Sequence, residues 1–270
     1  MIISSFSNPK IKFIRKLEQK KYRQEAGLFF VEGLRIVGEA IQTHAPIESL
    51  VIAPDLLISE FGQSLLTLPW VRRLEQIEVS AEIFEKIAHK ENLQGIGAVI
   101  RQERLLLKSI RVKPDDIWVA LDAIADPGNL GTIMRTADAV GCRGVIMVGD
   151  CTDPYDPTAV KASMGAIFSL ALGQAEWDDF KQWQQSNGLT LIGTSDNAVV
   201  DYQAVVYRRP LILLMGSERH GLAEEMVPAC DHVVSIPMKG RSDSLNLAVA
   251  TGIMLYEIYN QSREMDIISL

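Results

Sequence analysis

The sequence has little of what marks a secreted, membrane-bound or metal-dependent protein. It holds three cysteines, Cys142, Cys151 and Cys230, and no CxxC pair. That argues against a disulfide framework or a thiolate zinc site and fits reduced thiols in a cytoplasm. The four histidines, His44, His89, His220 and His232, are scattered, with none at zinc-ligand spacing, so no metal is expected. No apolar run reaches the roughly 18 residues that a membrane span needs. The opening MIISSFSNPKIKFIRK lacks an apolar stretch followed by a small-residue cleavage site, so no secretory signal is expected. Internal repeats and low-complexity tracts are missing too. No GxxxxGKS/T occurs, and GSERHG lacks the second glycine of GxGxxG. Those absences speak against a nucleotide triphosphatase and against a dinucleotide-dependent oxidoreductase.

Apolar residues make up 47% of the 270, enough to bury a full core. The net charge of −7 taken whole argues against a nucleic-acid partner, but its distribution does not. Residues 1–23 hold seven basic side chains, Lys10, Lys12, Arg15, Lys16, Lys20, Lys21 and Arg23, against the single acid Glu18. A basic head on an acidic body is what a phosphate-contacting element attached to another domain looks like. A solvated helix face has the same appearance.

Pro9 opens an expected helix over 9–23, with Ile11, Ile14 and Leu17 on one face. Strands and helices then alternate to about residue 100, including LFFVEG, LRIVGEAIQ, DLLISEFGQSLL (55–66), AEIFEKIAH (81–89) and GIGAVI. This reads as a small α/β domain over 1–105. Residues 106–115 read as a linker, with Leu105–Leu107 docked on one domain. From Ile117 the strands IWVAL, RGVIMVG, FSLAL, LTLIGTS, LILLMG and HVVSI alternate with helices, among them a short one at AEEMV. Near-continuous Val, Ile and Leu point to a parallel sheet buried on both faces, within a second domain over 116–270. Ligands of such sheets gather outside the carboxyl ends of the strands.

Three loops at those ends carry the polar chemistry. In DAIADPGNLGTIMRT, Asn129 stands at a helix start as a cap and Arg135 lies inside the helix. In LILLMGSERHGL, Gly216 follows an apolar strand, where a glycine can take a positive φ or admit a ligand to the backbone. In IPMKGRSDSLNLAVATG, a strand end runs through a loop into a long helix that Ser244 or Ser242 would cap. The amides and positive dipole end of that helix suit an adenosine-bearing ligand or an RNA phosphate.

In order and spacing these loops resemble the SpoU/TrmH family of RNA ribose 2′-O-methyltransferases, in the SPOUT superfamily. Asn129, Gly131 and Arg135 match its first motif. Gly216, Ser217, Glu218 and Gly221 match the second. Ile236, Pro237, Met238, Gly240, Ser244, Leu245 and Asn246 match the third. SNPKIK and FFVEGLRIV resemble the substrate-binding domain that precedes the catalytic one in many members. The resemblance implies an α/β fold, with a mostly parallel sheet and a deep trefoil knot in the C-terminal domain. It implies S-adenosylmethionine, held largely through backbone atoms at Thr194, Gly216, Ile236 and Leu245. It implies a homodimer through the final helix, where Ala248, Ala250 and Gly252 suit close packing, and a cytoplasmic enzyme acting on structured RNA. Ribosomal RNA is favoured; transfer RNA, or a non-catalytic RNA-binding protein that keeps the fold, are the alternatives. By the same resemblance Arg135 assists the attacking hydroxyl, and Asn129 holds that hydroxyl or Arg135. Glu218 fixes the loop or Arg135, and Ser244 and Asn246 shape the active-site loop. The seven basic residues of 10–23 would contact RNA phosphates.

Overall fold

The computed structural model describes residues 2–88 and 92–268, the last five of these by backbone alone. It forms two compact units, Met1–Glu103 with Tyr155–Phe168, and Arg104–Pro154 with Ser169–Leu270.

The first unit opens with α1 (Pro9–Lys16), capped by Asn8, whose side chain accepts the Lys10 amide at 2.9 Å. Ile11, Ile14 and Leu17 are buried, as the spacing required. The expected single helix over 9–23 is broken after Leu17, and α2 (Lys20–Ala26) follows. Arg23 accounts for the break. Its Nη1 donates to the Leu17 carbonyl at 3.0 Å and the Glu18 carbonyl at 2.6 Å, satisfying backbone groups that a continuous helix would have paired itself. Its Nη2 stands 3.6 Å from Asp156 Oδ2, and the side chain is 1% exposed. Arg23 is therefore a structural cation and leaves the set expected to meet RNA phosphates.

Next come β1 (Leu28–Glu32), α3 (Leu34–Gln42), β2 (Ile47–Ile52), α4 (Glu60–Thr67), β3 (Glu75–Glu78), α5 (Ala81–Ile87) and β4 (Ile96–Arg101). The sheet runs β1-β4-β2-β3, with β4 antiparallel to both neighbours and β3 parallel to β2. The helix expected over 55–66 starts later because Ser59 is its cap, accepting the Gly62 amide. His89, expected to end the helix over 81–89, lies outside the described residues. Tyr155–Phe168 belongs to this unit: the Phe29 ring lies 4.7 Å from that of Tyr155 and 6.4 Å from that of Phe168. The expected boundaries had placed that segment within 116–270.

The remaining elements are β5 (Ile117–Asp122), α6 (Pro127–Ala139), β6 (Gly144–Val148), α7 (Pro157–Ser163), β7 (Ala171–Ala175), α8 (Trp177–Ser186), β8 (Thr190–Thr194), β9 (Val200–Asp201), β10 (Leu211–Met215), β11 (His232–Ser235) and α9 (Leu247–Ile268). Of these, α7 lies in the first unit. The second unit's sheet is parallel throughout, in the order β7-β6-β5-β10-β8-β11-β9. Every residue of β6 and β10 is buried, which is why their sequences show no polar alternation. Leu105 donates its amide to the Leu172 carbonyl at 2.8 Å and Leu107 is buried in this core, so the charged stretch after β4 docks along β7.

Three expectations shift. A 3-10 turn over Ala166–Phe168 follows Gly165 at φ 104°, so the strand read as FSLAL begins only at Ala171. AEEMV forms no α-helix: residues 224–226 are turn, and Val227 opens a 3-10 turn over Val227–Ala229 with Pro228 inside it. The short β9 was not anticipated. The insertion of β10 between β5 and β8 interrupts the chain-order succession of strands, which makes a topological switch point.

Candidate active site

Four neighbouring strands, β5, β10, β8 and β11, end on the same side of the parallel sheet. Their loops therefore meet although they are far apart in sequence. The helix after β5 is capped by Asp126, whose Oδ1 accepts the Asn129 amide at 2.6 Å, with Pro127 in the first turn. Asn129 was expected to be this cap. It lies instead at the third residue of the helix, within the first turn, and its side chain is released for another purpose. The signal for Asp126 was in the sequence, an Asp-Pro pair directly before a helical run.

A chain of hydrogen bonds joins the three motif loops. Asn246, not Ser244 or Ser242, caps α9: its Oδ1 accepts the amides of Ala248 at 2.9 Å and Val249 at 3.3 Å. That fixes the orientation of its amide, so Nδ2 donates to Asn129 Oδ1 at 2.9 Å. Asn129 Nδ2 in turn donates to Glu218 Oε1 at 3.2 Å. The Glu218 carboxylate also accepts the amides of Ala125 at 3.2 Å and Asp126 at 3.3 Å. Burial pushes the Glu218 carboxyl up, but hydrogen bonds from its own amide, Asn129, Ala125 and Asp126 outweigh it and hold it below the usual carboxylate range. Glu218 thus clamps the β5 loop to the β10 loop as an anion.

Gly216 does not take a positive φ. A β-carbon there would stand 2.0 Å from the Gly221 carbonyl carbon and 2.1 Å from the Leu222 nitrogen. The close approach is made by the chain itself, across a turn closed by Ser217 and Gly221, whose amides and carbonyls pair at 2.9 and 3.0 Å.

Two cavities open here. One, of about 310 Å³, is lined by Thr194, Gly216, Ile236 and Leu245, with Met215 and Val234. Apolar residues share its lining with charged ones, among them Asp196, Glu218, Arg219 and Asp243, at a volume ordinary for small-ligand pockets, which run from about 300 Å³ upward. The other, of about 790 Å³ and open to solvent, is lined by Asn129, Glu218, Ser244 and Asn246. Glu218, Arg219, His220 and Ser244 are among the residues that border both. Arg219 and His220 fall at the unspecified positions of the second motif and were not singled out from sequence; the one available signal was titratable side chains in a strand-end loop.

Arg135 stands apart. It lies on the exposed side of α6, borders neither cavity, and has no hydrogen-bond or ion-pair partner among the described residues. Lys12, Arg15, Lys16, Lys20 and Lys21 are exposed, as is Lys10, which pairs with Glu75. Gly252 faces the chain's own α6, its β-carbon position 3.8 Å from the Thr136 methyl. Burial pushes the Cys151 and Cys230 thiols up to about 11 and the Cys142 thiol up to about 12, so none supplies a thiolate at neutral pH. Among the described residues no group of three or more His, Cys, Asp or Glu is placed to hold a metal, and no helix is long and apolar enough to cross a membrane.

The SpoU rRNA Methylase family matches residues 116–256, and the MRM3-like substrate binding domain matches residues 8–98. A 23S rRNA (uridine(2479)-2′-O)-methyltransferase of Streptomyces viridochromogenes is 32% identical over 252 residues, covering 91% of this chain and 87% of that protein. The 23S rRNA (guanosine-2′-O-)-methyltransferase RlmB of Shewanella oneidensis is 33% identical over 83% of this chain and 94% of its own. Among solved structures, an AdoMet-bound rRNA methyltransferase from Sinorhizobium meliloti superposes with a TM-score of 0.88 at 38% identity, covering 96% of this chain and 97% of that one.

Proposed function

The chain belongs to the SpoU rRNA methylase family, and from that premise we propose that it methylates a ribose 2′-hydroxyl in ribosomal RNA, using S-adenosylmethionine. Thr194, Gly216, Ile236 and Leu245 would hold the cofactor, and the crossing of Gly216 over Gly221 keeps that cradle open and rigid. The apolar Ile236, Leu245 and Val234 suit the adenine, while the loop backbone suits its polar edge. When bound, S-adenosylmethionine supplies an electrophilic methyl on a sulfonium, an excellent leaving group. The protein's task is then the nucleophile, a neutral alcohol to be aligned and deprotonated.

Asn129 and Asn246 are pinned at both ends and line the second cavity without freedom to reorient. This suits positioning a ribose at the junction with the first. Arg135 cannot act as a base, since a guanidinium stays protonated below about pH 12. Its role is to orient the RNA and stabilise the developing alkoxide. Because it borders neither cavity of its own chain, it would meet a ribose at that junction from a second copy of the chain. Lys10, Lys12, Arg15, Lys16, Lys20 and Lys21 would contribute salt-dependent phosphate contacts.

The same reading includes a homodimer through α9, where Val249 and Tyr256 are 52% and 49% exposed on one helical face. Light scattering on the purified protein tests it, and a monomer at micromolar concentration would refute it. It includes a cytoplasmic location and a knotted C-terminal domain, for which the insertion of β10 between β5 and β8 is the supporting feature.

The observation that carries the proposal is the Glu218–Asn129–Asn246 chain, which ties all three motifs together at the junction of two cavities. Incubation with isotopically labelled S-adenosylmethionine and ribosomal RNA, followed by digestion and mass spectrometry, tests it. A labelled 2′-O-methylnucleoside is expected. A base-methylated product would refute the assignment. Neither transfer nor cofactor binding, with or without RNA, would leave an RNA-binding protein that keeps the fold.

A further inference from the structure

We propose that His220 is the group that accepts the proton of the ribose 2′-hydroxyl. The inference rests on the function proposed above. The reacting oxygen has to sit where the cofactor cavity meets the cavity of Asn129 and Asn246. The side chains bordering both are Ser217, Glu218, Arg219, His220, Ser244, Leu245 and Leu247. Leucines and serine hydroxyls are not bases at neutral pH, and Arg219 is permanently protonated. Glu218 already accepts from Ala125, Asp126 and Asn129, and its carboxyl is held below the usual range, so it is a weak base. An imidazole is the remaining group, and imidazoles exchange protons between about pH 5 and 8.

The backbone beneath His220 is fixed. Its amide donates to Ser217 Oγ at 3.2 Å, and Ser217 and Gly221 close the turn on either side. Among the described residues no group pairs with its ring, which leaves the ring nitrogens available to substrate. The charged groups around it come from four segments. Glu218 and Arg219 share its loop, and Asp126 caps α6 and borders only the larger cavity. Asp196, after β8, and Asp243, before α9, border only the smaller one. Asp122 has its carboxyl pushed up by burial and by Glu225, but it borders neither cavity.

In the step, the 2′-O–H bond breaks and its proton passes to the unprotonated ring nitrogen of His220. The oxygen forms a bond to the methyl carbon. The carbon–sulfur bond breaks with its electron pair remaining on sulfur. The positive charge of the sulfonium is thereby replaced by that of the imidazolium, which later releases its proton to water.

The test uses the full chain with a ribosomal RNA transcript under single-turnover conditions, comparing wild type with His220→Gln and His220→Ala. The transfer rate at neutral pH should fall by about 10²-fold or more. Affinity for RNA and S-adenosylmethionine should change little, and the rise in rate between about pH 5 and 8 should disappear. A variant that keeps the wild-type pH limb, or that weakens RNA binding with its maximal rate intact, overturns the assignment. A second readout is independent of turnover. With ¹³C-labelled histidine, S-adenosylhomocysteine should move the imidazole resonance that His220→Gln removes, and leave that of His44 in place. An unmoved His220 resonance puts the ring outside the cavity and also rejects the proposal. A wild type without methyl transfer defeats the proposed function and this inference together. An active wild type matched by its variants defeats the inference alone.

Discussion

Arg23 in the first unit and Arg135 in the second carry the same guanidinium and receive opposite treatment. Arg23 is 1% exposed, with its donors on the carbonyls of Leu17 and Glu18 and an ion pair to Asp156. Arg135 faces solvent and has no partner among the described residues. Counting cations along a segment does not separate the two roles; asking where each donor goes does. A guanidinium whose donors are satisfied inside the fold is a structural part. One held on a rigid helix with its donors unmet is available to a ligand.

The comparison can be broken from either side. Arg135→Ala should leave stability within about 0.5 kcal/mol of wild type, as surface changes do. It should slow 2′-O-methylation by about 10²–10³-fold, as loss of an alkoxide-stabilising donor does, with S-adenosylmethionine binding retained in calorimetry. Full activity would remove the role given to Arg135. Arg23→Ala should do the reverse, lowering unfolding free energy in urea titrations by on the order of 3 kcal/mol through the stranded carbonyls and Asp156. If it instead weakens RNA binding without loss of stability, Arg23 returns to the phosphate-contacting set.

Asn246→Ala should be milder, costing about 1 kcal/mol for the lost cap of α9. Because it also uncouples Asn129, transfer should slow more than stability alone explains, and Asn246→Asp should restore stability without restoring the rate. Acid has the smallest expected effect. The Glu218 carboxyl is lowered in the folded state, so its contribution is complete above the ordinary carboxylate range of about pH 4.3 and is lost as pH falls through the lowered folded value. Hydrogen exchange at the Ala125 and Asp126 amides should accelerate there, and Glu218→Gln should abolish that pH dependence.

The contrast also marks how far the sequence could be read. The strands of the second unit were legible because β6 and β10 are buried throughout and consist of continuous aliphatic residues. The motif loops were legible because glycines and polar residues interrupt those runs at strand ends. Strand order was not, since nothing local says that β10 enters between β5 and β8. The α9 cap was misplaced for a related reason. Serine is a general cap, but the helix begins where Asn246 meets Asn129, a contact made only in the folded chain. Arg23 was misread because its partner Asp156 lies in a segment assigned by sequence to the other domain.

The most direct measurement is a crystal structure of the protein with S-adenosylmethionine bound. The account predicts the ligand against Thr194, Gly216, Ile236 and Leu245, with the Glu218–Asn129–Asn246 chain intact beside it. A ligand seated elsewhere, such as the depression of about 620 Å³ beside Leu106 and Trp183, would contradict it.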